Sequence, residues 1–235
     1  MKELVKDYNR ILNGATPQEV LSFFTAKYQK KISFSTSLGA EDQVLTDMIC
    51  SIDPFVNIFT LDTGRLFQET FDLMHITEKK YGIKIQVYFP DAVKVEEMVN
   101  DKGINLFYES VENRKLCCNI RKTEPLKRAL AGMRVWIGGL RRDQSVTRKD
   151  LELVEWDDSY GIIKLSPLVD WNESQVWEYL KEKKVPYNEL HLKGFTSIGC
   201  QPCTRAIQPG ESVRSGRWWW ESPENKECGI HQNID

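Results

Sequence analysis

Short apolar runs alternate with amphipathic segments along the first two thirds of the chain, and each run empties into a loop carrying glycine or clustered polar residues. KISFST (31–36) leads into SLGAEDQVL, FVNIFT (55–60) into LDTGR, and MRVWIGG (133–139) into LRRDQS, while IKIQVYF (83–89) stops at Pro90. Their β-branched and aromatic content predicts strands. Between them lie segments with helical spacing: one opened by Thr16, Pro17 and Glu19 as a capping box and running to about Lys30, one over 66–81 closed by Gly82, one near 92–100, and one from about Val111 to Ala131. Strands that alternate with helices build an α/β domain, a mostly parallel sheet flanked by helices, with ligands expected where strand C-termini open into loops. STSLGAED, LDTGR and GLRRDQS are therefore expected to share one pocket.

The texture changes after Lys149. LELVEW and GIIKLSPL read as a hairpin, and Asn172 with Gln175 opens a helix through Lys184. From Val185 onward regular periodicity fails, and this irregular segment carries three cysteines, five glycines and the run Trp218, Trp219, Trp220. The predicted division is a nucleotide-binding α/β domain over 1–203 and a C-terminal segment over 204–235. The tryptophans suit either an aromatic wall over a pocket or plain packing and a subunit contact. A homo-oligomer is compatible with either.

At 235 residues, 41% hydrophobic and 28% charged, the chain has enough apolar content for a real core, which excludes disorder and makes a disulfide scaffold unnecessary. No run approaches the length of a membrane helix, and MKELVKDYNRIL is neither signal nor transit peptide, so a cytoplasmic location is expected. Net charge is only −2, yet Arg114 to Lys149 holds eleven Lys or Arg against two acids. A buried anionic ligand explains that excess; a solvated helix face is the plainer alternative. Nucleic acid is disfavoured, because Trp136 is the single base-stacking aromatic in the window.

Six cysteines in a chain without an export signal point to metal or catalysis rather than disulfides. Cys117 and Cys118 are adjacent in a predicted helix, and Cys200 and Cys203 form a CxxC after 81 intervening residues. Four thiolates can hold a metal centre. Neighbouring helical side chains diverge by about 100°, which suits a polynuclear iron–sulfur cluster better than one zinc ion; a redox disulfide stays open. Cys228, close to the end of the sequence, suits either a nucleophile that enters and leaves a site or an ordinary exposed thiol. Cys50 falls on an apolar helix face and reads as core, His75 as a packed or surface histidine, and His191 and His231 as loop residues open to a role.

CCNIRK (117–122), GCQPC (199–203), RSGRWWWE (214–221) and ECGIH (227–231), taken together and in this order, resemble the assimilatory sulfonucleotide reductases, and among them the cluster-containing adenylyl-sulfate reductases. The resemblance runs from about Ile32 to the C-terminus. It implies the adenine-nucleotide α-hydrolase-like fold and reduction of adenosine 5′-phosphosulfate (APS), with 3′-phosphoadenosine 5′-phosphosulfate (PAPS) as the rival substrate. It implies one 4Fe-4S cluster on Cys117, Cys118, Cys200 and Cys203, Cys228 as nucleophile, and Lys122 between cluster and substrate. Arg214 and Arg217 are implied at the phosphosulfate, Arg141, Arg142 and Arg148 around the phosphate, and Leu61, Thr63 and Gly64 at the adenosine. Gly139 and the loop of Ser35, Thr36, Ser37 and Gly39 complete the implied nucleotide contacts. Glu41 stands where ATP-cleaving relatives often carry lysine, which argues against ATP hydrolysis. No thioredoxin-like domain is recognisable, so thioredoxin or a similar dithiol is the expected outside reductant.

Overall fold

The computed structural model describes residues 1–145 and 148–222. Its sheet contains β1 (Ile32–Ser35), β2 (Asn57–Leu61), β3 (Gln86–Tyr88), β4 (Val135–Ile137), β5 (Val154–Asp157) and β6 (Ile162–Leu165) in the order β3-β2-β1-β4-β6-β5. All neighbours pair in parallel except β5 and β6, the expected hairpin. Strand order reverses between β1 and β4. A crevice at the C-terminal ends of those two strands is where such a sheet takes its ligand.

Alternation along the strands sends side chains into two separate cores. Ile58, Val135, Ile137, Ile163 and Leu165 enter one core with α2 (Pro17–Tyr28), α3 (Ala40–Ile52) and α8 (Glu173–Glu182). Phe59, Trp136 and Ile162, one residue out of step, enter the other with Leu126, Ala129 and Leu130. With both faces covered, the strands read as nearly continuous apolar runs. A third apolar group gathers Phe107, Cys117, Ile120, Cys203 and Trp218.

Several local expectations hold. Thr16 and Glu19 form a reciprocal capping box at α2, as do Asn172 and Gln175 at α8. Gly82 ends α4 (Gln68–Tyr81) in the left-handed region that favours glycine. One reading needs correction. The helix expected over 111–131 is α6 (Val111–Cys118), a wide π-type turn (Asn119–Thr123) and α7 (Glu124–Ala129), with Pro125 in the run lacking a backbone N–H. The N-terminal segment, read only for targeting signals, forms α1 (Lys2–Ile11), whose Asn9 donates to the Val154 carbonyl and accepts from the Val154 N–H, closing the edge at β5. α5 (Ala92–Lys102) precedes α6, and after α8 the chain is irregular, ordered by short turns and a bridge between Thr204 and Arg217. No helix among the described residues is long and apolar enough to cross a membrane.

Candidate active site

A cavity of about 210 Å³ opens at the crevice between β1 and β4. Its floor comes from the loop leaving β1. Leu38 adopts φ 61° there, an unusual value for a residue with a side chain, and its N–H donates to Thr36 Oγ1. The Ser37 N–H and hydroxyl both donate to Asp42 Oδ2 at 2.6 and 2.7 Å. Asp42 lies in the first turn of α3, and burial pushes its carboxyl up to about 6 against the lowering effect of the Ser37 bonds. At Gly139, beyond β4, a Cβ would stand 2.3 Å from Asp42 Oδ1, so glycine is what lets the two loops approach.

One oxygen of Glu41 organises the opposite wall. It accepts from Arg141 Nε at 2.9 Å and Nη2 at 2.8 Å, and from Gln144 Nε2 at 2.9 Å. The other end of Gln144 accepts from Arg148 Nη1. Glu41 thus holds Arg141 and turns Gln144 so that its carbonyl faces Arg148.

Cations of other elements complete the cavity. Lys122 comes from the wide turn, and Arg214 and Arg217 come from the irregular segment. Arg217 is the most constrained. Its guanidinium carbon sits 4.6 Å from the Trp218 ring centroid, and a Cβ on Gly199 would lie 2.4 Å from Nη2, so the group is clamped between an indole and a bare backbone. Arg217 is buried, its Nε has no hydrogen-bond partner, and Nη1 makes long 3.4 Å contacts with Ser197 Oγ and the Ile198 carbonyl. Among the described residues no carboxylate pairs with it. A buried cation left in this condition calls for an anion.

The predicted residues divide accordingly. Ser35, Thr36, Ser37, Gly39, Leu61, Lys122, Gly139, Arg148, Arg214 and Arg217 line the cavity. Thr63, Gly64, Arg141 and Arg142 do not. Arg141 is engaged by Glu41, and Arg142 by Asp170 and the Leu151 carbonyl. The Gly64 N–H donates to Asp62, and Thr63 turns towards the thiols. Part of the basic excess over 114–149 is therefore spent on internal ion pairs, those of Arg114, Arg141 and Arg142. His191, left open to a role, and Trp218, one of the tryptophans read as either a pocket wall or packing, also line the cavity, as do Asp42 and Gln144, which the sequence did not single out. Asp42 had a legible signal, an acid in the first turn of a helix that follows a strand and glycine. His191 Nδ1–H donates to the Phe195 carbonyl at 2.8 Å, and burial lowers its pKa.

On the far side of Lys122 lies a smaller cavity of about 20 Å³, lined by all four cysteines of the two motifs together with Arg65, Arg114, Arg121 and Lys122. Cys117 and Cys118, the last two residues of α6, both line it, and the wide turn after them brings Arg121 and Lys122 to the same space. Thr63 Oγ1 is 3.2 Å from Cys200 Sγ, and Arg121 Nη1 donates to the Thr63 carbonyl at 2.6 Å. Burial, then the neighbouring Cys200, pushes the Cys203 thiol up to about 12. No disulfide joins the five described cysteines, and among the described residues no three His, Cys, Asp or Glu are arranged around a single metal ion. Cys50 packs against the main core, and His75 is exposed. Of the three tryptophans, Trp218 lines the substrate cavity while Trp219 and Trp220 pack against Tyr108. Cys228 and His231 lie outside the described residues.

Residues 31–206 match the family model for the phosphoadenosine phosphosulfate reductase domain. The adenosine 5′-phosphosulfate reductase of Allochromatium vinosum is 53% identical over 201 residues, covering 86% of this chain and 78% of the relative. That of Agrobacterium fabrum is 47% identical over 208 residues, covering 88% and 80%. Among solved structures, the phosphoadenylyl-sulfate reductase of Candida auris in a phosphate complex superposes with a TM-score of 0.76 at 31% identity, covering 88% of this chain and 98% of that one. Yeast FAD synthetase, at a TM-score of 0.57 and 17% identity over 86% of this chain and 68% of its own, shares the fold alone.

Proposed function

The chain belongs to the phosphoadenosine phosphosulfate reductase family, and on that premise we propose that it reduces APS to sulfite and AMP through an S-sulfocysteine on Cys228. The single observation that carries the reading is Arg217, a buried cation without a carboxylate partner among the described residues, at the crevice where this sheet takes its ligand.

The Cys228 thiolate attacks the sulfur of APS; a sulfur–sulfur bond forms, the sulfur–oxygen bond to the phosphate breaks, and AMP leaves with the electron pair. Lys122, Arg148, Arg214 and Arg217 counter the charge developing on the sulfonyl and bridging oxygens, an electrostatic role typically worth about 3 kcal/mol for each well-placed donor. Ser37 and Gly139 bound the nucleotide's binding space, and Leu61 supplies an apolar surface. A thiolate of thioredoxin or a similar dithiol then attacks Cys228, expelling sulfite, and its second thiol resolves the mixed disulfide, so the two electrons come from the dithiol. The need for a dithiol reductant favours a reducing compartment, the cytoplasm.

The chemistry of the donors around the thiol-lined cavity supports a 4Fe-4S cluster as the group they would hold. Four cysteines meet three arginines and a lysine, a donor set and a surrounding charge that suit an anionic polynuclear centre rather than one zinc ion. Cys117, Cys118, Cys200 and Cys203 would hold it; when bound, it supplies a local negative charge that orients Lys122 and joins α6 to the irregular segment. The electrons of the reaction need no other source than the dithiol.

Anaerobic turnover with APS and PAPS in parallel, thioredoxin present and sulfite release measured, tests the reading. Sulfite from APS supports it. Release from PAPS alone would assign the activity of the Candida auris relative instead, and no release from either nucleotide would refute both.

A further inference from the structure

The RWWWE motif ends in a residue to which the chemistry above gives no task. Glu221 is almost fully buried, 3% exposed at its side chain, and its partner Arg114 is 1% exposed. The pair is bidentate: Arg114 Nε donates to Oε1 at 2.9 Å and Nη2 to Oε2 at 2.8 Å. Arg114 lies on α6, three residues before Cys117, and its guanidinium carbon sits 5.0 Å from the Trp218 ring centroid, across from Arg217. The Cys118 thiol shares the same guanidinium. The helix bearing the adjacent cysteines therefore grips the chain at Glu221.

Burying two charges to make a bond is an expensive way to stabilise a fold; apolar residues of similar volume do as well or better. What an ion pair of this geometry gives is a fixed position. Glu221 is among the last described residues, and Cys228 is the seventh residue after it. Seven residues reach at most about 25 Å from their point of attachment. Where that point lies therefore decides which part of the molecule the Cys228 thiol can search, and with what effective concentration it meets a bound substrate.

We propose that the Arg114–Glu221 pair is a positioning device for the sulfonation step, fixing the origin of the segment that delivers Cys228 to the sulfur of bound APS. This rests on the reaction proposed above. Glu221 does not touch the nucleotide; it acts through the placement of Cys228. Loss of the pair therefore lowers the rate of adduct formation and leaves nucleotide affinity in place.

The test uses the full-length protein prepared without oxygen, with Glu221→Gln and the double variant Arg114→Met/Glu221→Met, which leaves no unpaired buried charge. AMP affinity is measured by titration, and single-turnover formation of S-sulfonated Cys228 from APS by quenched-flow mass spectrometry without reductant. The expected result is AMP affinity within about twofold of the parent with sulfonation slowed about tenfold or more, the reach argument setting the scale. A folded variant that sulfonates Cys228 within about twofold of the parent rate would overturn the proposal. So would AMP affinity falling in step with the rate, or a double variant that fails to fold, because either makes the pair a general support of the structure. Failure of the parent itself to sulfonate Cys228 would instead refute the reaction on which the proposal rests.

Discussion

The hydroxyl oxygen of Thr63 lies 3.2 Å from the sulfur of Cys200. Leu61, two residues earlier at the end of β2, lines the larger cavity. The chain leaving β2 thus passes from the larger cavity to the thiols, and Lys122 lines both spaces.

Lys122 is the side chain shared by both cavities. Lys122→Ala is expected to lower kcat/KM for APS by about 10²-fold while iron content stays at the parent level. Sulfite release measured beside an iron assay checks this, and undiminished turnover would contradict the role given to the lysine.

Gly199 has no room for a side chain, because a Cβ would stand 2.4 Å from Arg217 Nη2. Gly199→Ala should displace the Arg217 guanidinium and weaken APS binding by about tenfold or more, the scale of one charge-assisted hydrogen bond. A nucleotide titration decides it. Unchanged affinity would mean that Arg217 does not meet the substrate.

Burial raises Asp42 from 3.8 to about 6. A carboxyl with a raised folded pKa lends stability that is fully present below its unfolded value and lost as pH rises through the folded one. Replacing it by Asn removes that loss, so the stability of Asp42→Asn relative to the parent should climb between about pH 4 and about pH 6, by at most about 3 kcal/mol. Urea unfolding at the two ends of this range measures the difference. Equal differences at both ends would show that Asp42 does not titrate as its burial requires.

Protein isolated without oxygen is expected to carry about four irons per chain with broad visible absorbance, and Cys203→Ser to lose both. One zinc ion per chain and no colour would contradict the cluster assignment.

Much of the architecture is legible in the sequence because apolar runs with period two and capping signals are local. The mostly parallel sheet follows from the alternation of strands with helices, and both capping boxes stand where Thr16 and Asn172 place them. The fate of the three loop arginines is not legible. Arg141 and Arg148 look equivalent in GLRRDQSVTR, and what separates them is Glu41, a hundred residues away, which binds one and orients the other through Gln144. The wide turn after Cys118 likewise has no periodic signature, and it is what brings Arg121 and Lys122 to the thiol-lined cavity. Arg217 is named by its motif, but its isolation from carboxylates emerges only when Gly199 and Trp218 close around it.

The central claim is that Cys228 takes the sulfonate from APS. It is tested most directly by incubating the reduced, full-length protein with APS in the absence of any thiol reductant and mapping the product by peptide mass spectrometry. The account predicts one sulfonate on Cys228, stoichiometric release of AMP, and discharge of sulfite when a dithiol is added. AMP release with the sulfonate on another cysteine, or with no protein adduct at all, would contradict it.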